Sequence, residues 1–158
     1  MVTGEQGIAL IKRFEGFRAK PYRCSAGVAT IGYGNTKWSC GHKVRMSDKP
    51  ITRERAEEEL KFDLKVFETA VKHFVKVKLN QHQFDALVSF CYNVGPGNLL
   101  RSKLVKYINR GGNNPAVIKQ LFGNWVRAGG RRVNGLVRRR KSEAYLFNYN
   151  KLNYFNKR

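Results

Sequence analysis

Glu15, Cys24 and Thr30 stand nine and six residues apart in the segment FEGFRAKPYRCSAGVATIGYGN. A carboxylic acid, a thiol and a hydroxyl make up a set that can hydrolyse a glycosidic bond. One group protonates the leaving oxygen, a second activates water or stabilises the sugar cation, and a third holds the attacking water. Glu5 and Glu15 are the only carboxylates before Asp48, so acid chemistry in this segment has few candidates. Each residue also has an ordinary structural alternative. Glu15 is of the type that pairs with an arginine near a helix end, Cys24 of the type that fills a small apolar gap, and Thr30 of the type that populates strands.

The elements that must carry these three groups follow from local pattern. Ile8, Leu10, Ile11 and Phe14 recur at helical spacing, which predicts a first helix over about 5–14. Gly16 follows where a left-handed cap is commonly needed. Glu15 therefore falls at a helix C-terminus, whose unpaired carbonyls disfavour a carboxylate and suit a carboxyl that must keep its proton; Arg13 and Arg18 act in the opposite sense. Over 18–38, Pro21, Gly27, Gly32 and Gly34 punctuate short runs holding Tyr22, Val28, Thr30, Ile31 and Tyr33, the pattern of a small antiparallel hairpin or three-stranded sheet. Lys20 and Arg23 lie near Cys24, and neighbouring cations favour the thiolate, the form that takes a proton from water or attacks a sugar.

Composition bounds the setting. A chain of 158 residues with 42% hydrophobic and 12% aromatic residues suits one globular domain with a real core. No apolar run approaches the ~20 residues of a membrane helix, and the N-terminus lacks the order of a signal peptide, so synthesis as a soluble protein of the cytoplasm is expected. Three cysteines without framework spacing predict reduced thiols. Cys40 and His42 offer two metal ligands, but no further spaced pair completes a set, and neither a metal nor another cofactor is expected. The net charge of +20 predicts attraction to polyanions. It is unevenly placed: six acids crowd 54–68, whereas Glu143 is the only acid from Leu99 to the end.

Beyond the sheet, Thr52 is a candidate N-cap for a long helix whose apolar stripe is Ala56, Leu60, Leu64, Phe67, Val71 and Phe74. Further helices are predicted over 81–93, 99–109, 117–126 and 138–149, separated by turns at 93–98 and 111–115. Trp125 reads as core, and Arg138, Arg139 and Arg140 as a solvated or helix-capping run. The fold class is α+β: a small antiparallel sheet lobe and a mostly helical lobe joined by a long helix.

The triad residues now acquire a context. The order Glu15, Cys24, Thr30 within EGFRAKPYRCSAGVATIGYGN resembles the catalytic Glu-Asp/Cys-Thr triad of phage endolysins of the T4-type lysozyme family, glycoside hydrolase family 24. DALVSFCYNVG from Asp85 to Gly95, and the glycine- and arginine-rich stretch from Trp125 to Glu143, resemble that family's second lobe. The resemblance implies a single lysozyme-like catalytic domain over 1–158. Its N-terminal lobe would cover about 14–55 and its helical lobe about 56–150, with residues 1–13 packing near the latter and a basic aromatic tail over 150–158. It further implies hydrolysis of the β-1,4 bond between N-acetylmuramic acid and N-acetylglucosamine in peptidoglycan. Glu15 would be the general acid, with Cys24 where many members carry aspartate, and inversion through activated water is preferred to a thioglycoside. Gly34 and Asn35, and Tyr92 and Asn93, fall where the resemblance places two walls of a substrate cleft.

Partners follow in the same way: peptidoglycan as substrate, the anionic envelope through positive charge, and a separate holin to let a monomeric enzyme reach the periplasmic wall. Three rival readings stay open at this stage. A lytic transglycosylase would need the acid but no water activator. A nucleic-acid-binding protein would use the charge alone, although no specific nucleic-acid motif is present. A cationic membrane-permeabilising protein would act without catalysis.

Overall fold

The computed structural model describes residues 1–156; Lys157 and Arg158, the end of the expected basic tail, lie outside the described residues. The described chain folds as two compact units, residues 11–65 and residues 1–10 with those from 66 onward. Helices and a small antiparallel sheet make up both, as the expected α+β class requires.

The 11–65 unit receives the end of α1 (Glu5–Glu15) and holds the hairpin of β1 (Arg18–Arg23) and β2 (Ala29–Gly32). It closes with the first turns of α2 (Arg53–Phe74). The sheet is two-stranded rather than three-stranded; beyond β2 the chain makes only isolated bridges, Ile31 to Asn35 and Lys37 to Lys43. The strands pair Arg18 with Gly32, Tyr22 with Thr30 and Arg23 with Ala29, with an irregularity between Arg18 and Tyr22. Pro21 sits in that irregular stretch, and a residue without an N–H cannot complete a ladder. Ile11, Ile31, Tyr33, Val44, Ala56, Leu60 and Leu64 form its buried apolar core. Thr52 accepts a hydrogen bond from the Arg55 amide at 3.1 Å, which caps α2 as its position suggested.

The helical unit is built on α3 (Gln81–Val94), in which Phe84 to Cys91 are all buried. Asn80 and Gln83 close a reciprocal capping box at its start. Asp85, 1% exposed, accepts from the amides of Gly4 at 2.9 Å and Gly7 at 3.3 Å and so satisfies the first turn of α1. Gly7 must be glycine, because an added Cβ would come within 2.8 Å of the Asp85 Cβ.

The helix expected over 99–109 is instead two, α4 (Pro96–Arg101) and α5 (Lys103–Asn109). Ser102 divides them: its hydroxyl donates to the Leu99 carbonyl at 2.7 Å and accepts from the Val105 amide at 3.1 Å. α6 (Pro115–Phe122) ends four residues before the expected 126. A hairpin not anticipated follows, β3 (Arg127–Ala128) and β4 (Arg131–Arg132). Gly129 and Gly130, both at positive φ, make its two-residue turn.

The last helix, α7 (Asn134–Tyr149), packs on α3 and α6. Trp125 is half-buried and meets the Phe90 ring edge-on at 5.9 Å. The arginine run is not solvated: Arg139 and Arg140 are 3% and 1% exposed. Glu143, fully buried, pairs with Arg139 at 3.3 Å and Arg140 at 3.0 Å, and accepts from the Ser89 hydroxyl at 2.6 Å. Burying these charges is tolerable only because they are paired and hydrogen-bonded together.

Candidate active site

Glu15 is the last residue of α1 and is half-buried. Gly16, with φ of 73°, donates its amide to the Lys12 carbonyl at 3.0 Å and turns the chain out of the helix towards β1. The carboxyl is thus carried on the end of a rigid element one short turn away from the hairpin.

Cys24 and Thr30 are brought together by that hairpin. The Cys24 amide donates to the Val28 carbonyl at 3.0 Å, and the Gly27 amide to the Cys24 carbonyl at 2.8 Å. Gly27 sits at φ of 77°, where an L side chain would be strained, and the Arg23 guanidinium donates to its carbonyl at 3.0 Å. The Val28 amide hydrogen-bonds the Cys24 sulfur, helped by the Ala26 amide and the Thr30 hydroxyl. Together these donors outweigh desolvation and hold the thiol below its ordinary pKa.

Thr30 is 3% exposed and gives its hydroxyl proton to the Val28 carbonyl at 2.9 Å. A hydroxyl has one proton and two acceptor lone pairs. It can serve either that carbonyl or the sulfur, and in both cases keeps a lone pair for a donor such as water.

Gly34 and Asn35 follow β2 in the same unit. Gly34 has φ of 93°, and Asn35 exchanges two backbone hydrogen bonds of 2.9 Å with Ile31 around this tight turn. Asn35 is 1% exposed, and its amide nitrogen donates to Asp63 at 2.7 Å. Its side chain therefore braces the turn against α2. Tyr92 and Asn93 belong to the other unit, in the last turn of α3. Tyr92 is half-buried with its ring edge-on to Phe67 at 5.1 Å. Asn93 is exposed, and its side-chain oxygen accepts from Arg140 at 2.6 Å.

Two carboxylates of α2, visible in the sequence only as members of the acidic cluster over 54–68, also belong to the 11–65 unit. Glu59, 3% exposed, accepts from the Ser39 amide at 2.7 Å and pairs with Arg55 at 2.9 Å. Asp63, one turn on, has its pKa pushed up to about 6, first by burial and then by the like charge of Glu59, with the Asn35 hydrogen bond acting against the shift.

A carboxyl that binds its proton more tightly folded than unfolded stabilises the fold when protonated, and that contribution is lost as pH rises from about 4 through about 6. Asp63→Asn is therefore expected to match the parent near pH 4 and exceed it at pH 7. The gain, discounted for partial exposure, is about 1–2 kcal/mol. Urea denaturation at the two pH values measures it, and a less stable variant at pH 7 would count against the assignment.

Among the described residues, no group of three or more His, Cys, Asp or Glu could hold a metal, and no helix is long and apolar enough to cross a membrane. All three cysteines are free thiols; burial pushes Cys91 up to about 12, whereas Cys40 is exposed.

Comparison with known proteins places the chain among phage lysozymes. The family model for phage lysozyme matches residues 12–143. The endolysin of Bacillus phage B103 is 42% identical over 149 residues, covering 93% of this chain and 54% of that relative. The endolysin of Salmonella phage P22 is 37% identical over 147 residues, covering 93% of this chain and 98% of its own length. A solved endolysin structure from Escherichia coli O157:H7 phage FAHEc1 matches with a TM-score of 0.87 at 35% identity, over 97% of each chain.

The fold is lysozyme-like. The chain belongs to the phage lysozyme family. It spans about half the length of the Bacillus phage endolysins it matches.

Proposed function

We propose that the protein is an endolysin with muramidase activity. It hydrolyses the β-1,4 bond between N-acetylmuramic acid and N-acetylglucosamine in bacterial peptidoglycan and so lyses the host cell for phage release. The observation that carries this reading is the hairpin that sets Cys24 beside Thr30 with its thiol pKa lowered by backbone and hydroxyl donors, in one compact unit with the helix-end carboxyl Glu15, in a chain of the phage lysozyme family.

The roles follow from the chemistry of each group. Glu15 gives its proton to the leaving glycosidic oxygen. The Cys24 thiolate takes a proton from water as that water attacks the anomeric carbon from the opposite face, which inverts the configuration. Thr30 accepts a hydrogen bond from the same water and shares its own proton between Val28 and the sulfur. Gly34 and its turn, braced by Asn35, offer the sugar a backbone surface. Tyr92 offers a ring for stacking, and Asn93, held by Arg140, offers a polar contact. The net charge of +20 draws a monomeric enzyme to the anionic envelope, once a separate holin has opened the membrane.

Product analysis on purified peptidoglycan tests the reading. Hydrolysis is expected to yield muropeptides ending in reducing N-acetylmuramic acid. Products ending in 1,6-anhydromuramic acid would instead identify a lytic transglycosylase, and an absence of cleavage would overturn the enzymatic reading.

A further inference from the structure

Within the helical unit, α6, α7 and the segment that follows α7 enclose an open groove of about 570 Å³ that plays no part in the chemistry above. That volume lies in the range of small-ligand sites. Tyr145, Tyr149 and Phe155 line it with three rings, Asn148 adds an amide, and Lys119 and Lys141 stand at its exposed edge.

The rings form a concave wall rather than a protruding apolar tip. Tyr145 meets Tyr149 at 5.0 Å with the ring planes tilted by 59°, and Phe155 closes edge-on to Tyr145 at 5.8 Å. Phe155 reaches this position through a left-handed backbone, φ of 51°, a conformation bulky residues rarely adopt; its amide donates to the Asn153 side chain at 3.0 Å. Tyr149 remains 53% exposed although its ring packs against Tyr145.

The electrostatics point to an anion. Glu143 is the only acid from Leu99 to the end of the chain, and it is fully buried between Arg139 and Arg140. No acidic side chain of this stretch offsets Lys119 and Lys141 at the surface. Aromatic faces with an amide and two flexible cations suit a sugar ring carrying an acidic substituent: the rings take its C–H face, and the ammonium groups take the carboxylate. A membrane surface would call for apolar side chains that project outwards, and these line a hollow.

We propose that this groove is an accessory binding site for the glycan strand of peptidoglycan, seating a sugar against Tyr145 and Tyr149 while Lys119 and Lys141 hold carboxylates of the peptide stem. The inference rests on the wall being the substrate, and it adds a second point of attachment in the compact unit that does not hold the Glu15 hairpin. Such a site would keep the enzyme on an insoluble polymer between cleavage events.

The test is co-sedimentation with purified peptidoglycan, stripped of secondary polymers, using full-length protein in a Glu15→Gln background so that the wall is not digested. Tyr149→Ala is expected to weaken binding about fivefold or more. Lys119→Gln with Lys141→Gln should weaken it at least as much. Lys103→Gln with Lys106→Gln, which removes two exposed charges of α5, should change it less than about twofold. Unaltered binding by Tyr149→Ala, or equal losses in both lysine pairs, would overturn the proposal, as would losses seen only on unstripped walls or only on anionic lipid vesicles. Turnover of a short soluble oligosaccharide by Tyr149→Ala alone should equal that of the parent. If the parent cleaves no glycan, the muramidase reading fails, while the sedimentation result still judges the groove.

Discussion

Replacing Glu15 by Gln is expected to lower peptidoglycan hydrolysis by about a thousandfold or more, with folding and wall binding retained. Glutamine keeps the size of the side chain but has no acidic proton to give the departing sugar oxygen. Glu15 closes α1 and is half-buried, so the change opens no core cavity, and the Gly16 turn that follows does not depend on the carboxyl. Loss of turbidity clearing, set beside an unchanged thermal transition, measures the effect. A Glu15→Gln protein that still clears cells while releasing no reducing ends would reveal membrane permeabilisation by the cationic chain itself.

Cys24→Ser is expected to cost about a hundredfold or more, and Cys24→Asp to remain within about tenfold of the parent. The contrast separates a general base from a packing residue. Serine preserves size and hydrogen bonding but cannot become an anion near neutral pH, whereas aspartate is one. The amides of Val28 and Ala26 that favour the thiolate would equally favour a carboxylate in its place. The pH profile gives the sign. With Cys24 the activity should rise as pH climbs through the lowered thiol pKa. In the Cys24→Asp variant that limb should move to more acidic pH, because a carboxyl ionises lower. An active Cys24→Ser enzyme with an unchanged profile would remove Cys24 from the chemistry.

Those parts of the protein that local pattern governs are legible in the sequence. α1, α2 and α3 can be read from apolar spacing, the Thr52 cap from its position, and the Cys24–Thr30 hairpin from the glycines that its turns demand. The parts governed by long-range packing are not. Arg139 and Arg140 look solvated in sequence because charge normally means exposure, and only the fold shows them buried around Glu143. The spacing of that lone acid, three and four residues after the two arginines, is the available hint. The 127–132 hairpin is hidden by its brevity, although Gly129-Gly130 marks its turn. Asn35 illustrates the same limit within the candidate site. Its place after β2 can be read, but its commitment to Asp63, twenty-eight residues on, depends on how α2 packs.

We propose that Cys24, as a thiolate, activates water for a single inverting displacement while Glu15 protonates the leaving group. Proton nuclear magnetic resonance of the first-formed anomer during digestion of a soluble peptidoglycan fragment tests it most directly, provided the spectra are recorded faster than mutarotation. The new N-acetylmuramic acid reducing end is expected to appear first as the α-anomer. A β-anomer appearing first would mean two displacements with retention, and would contradict the role given to Cys24.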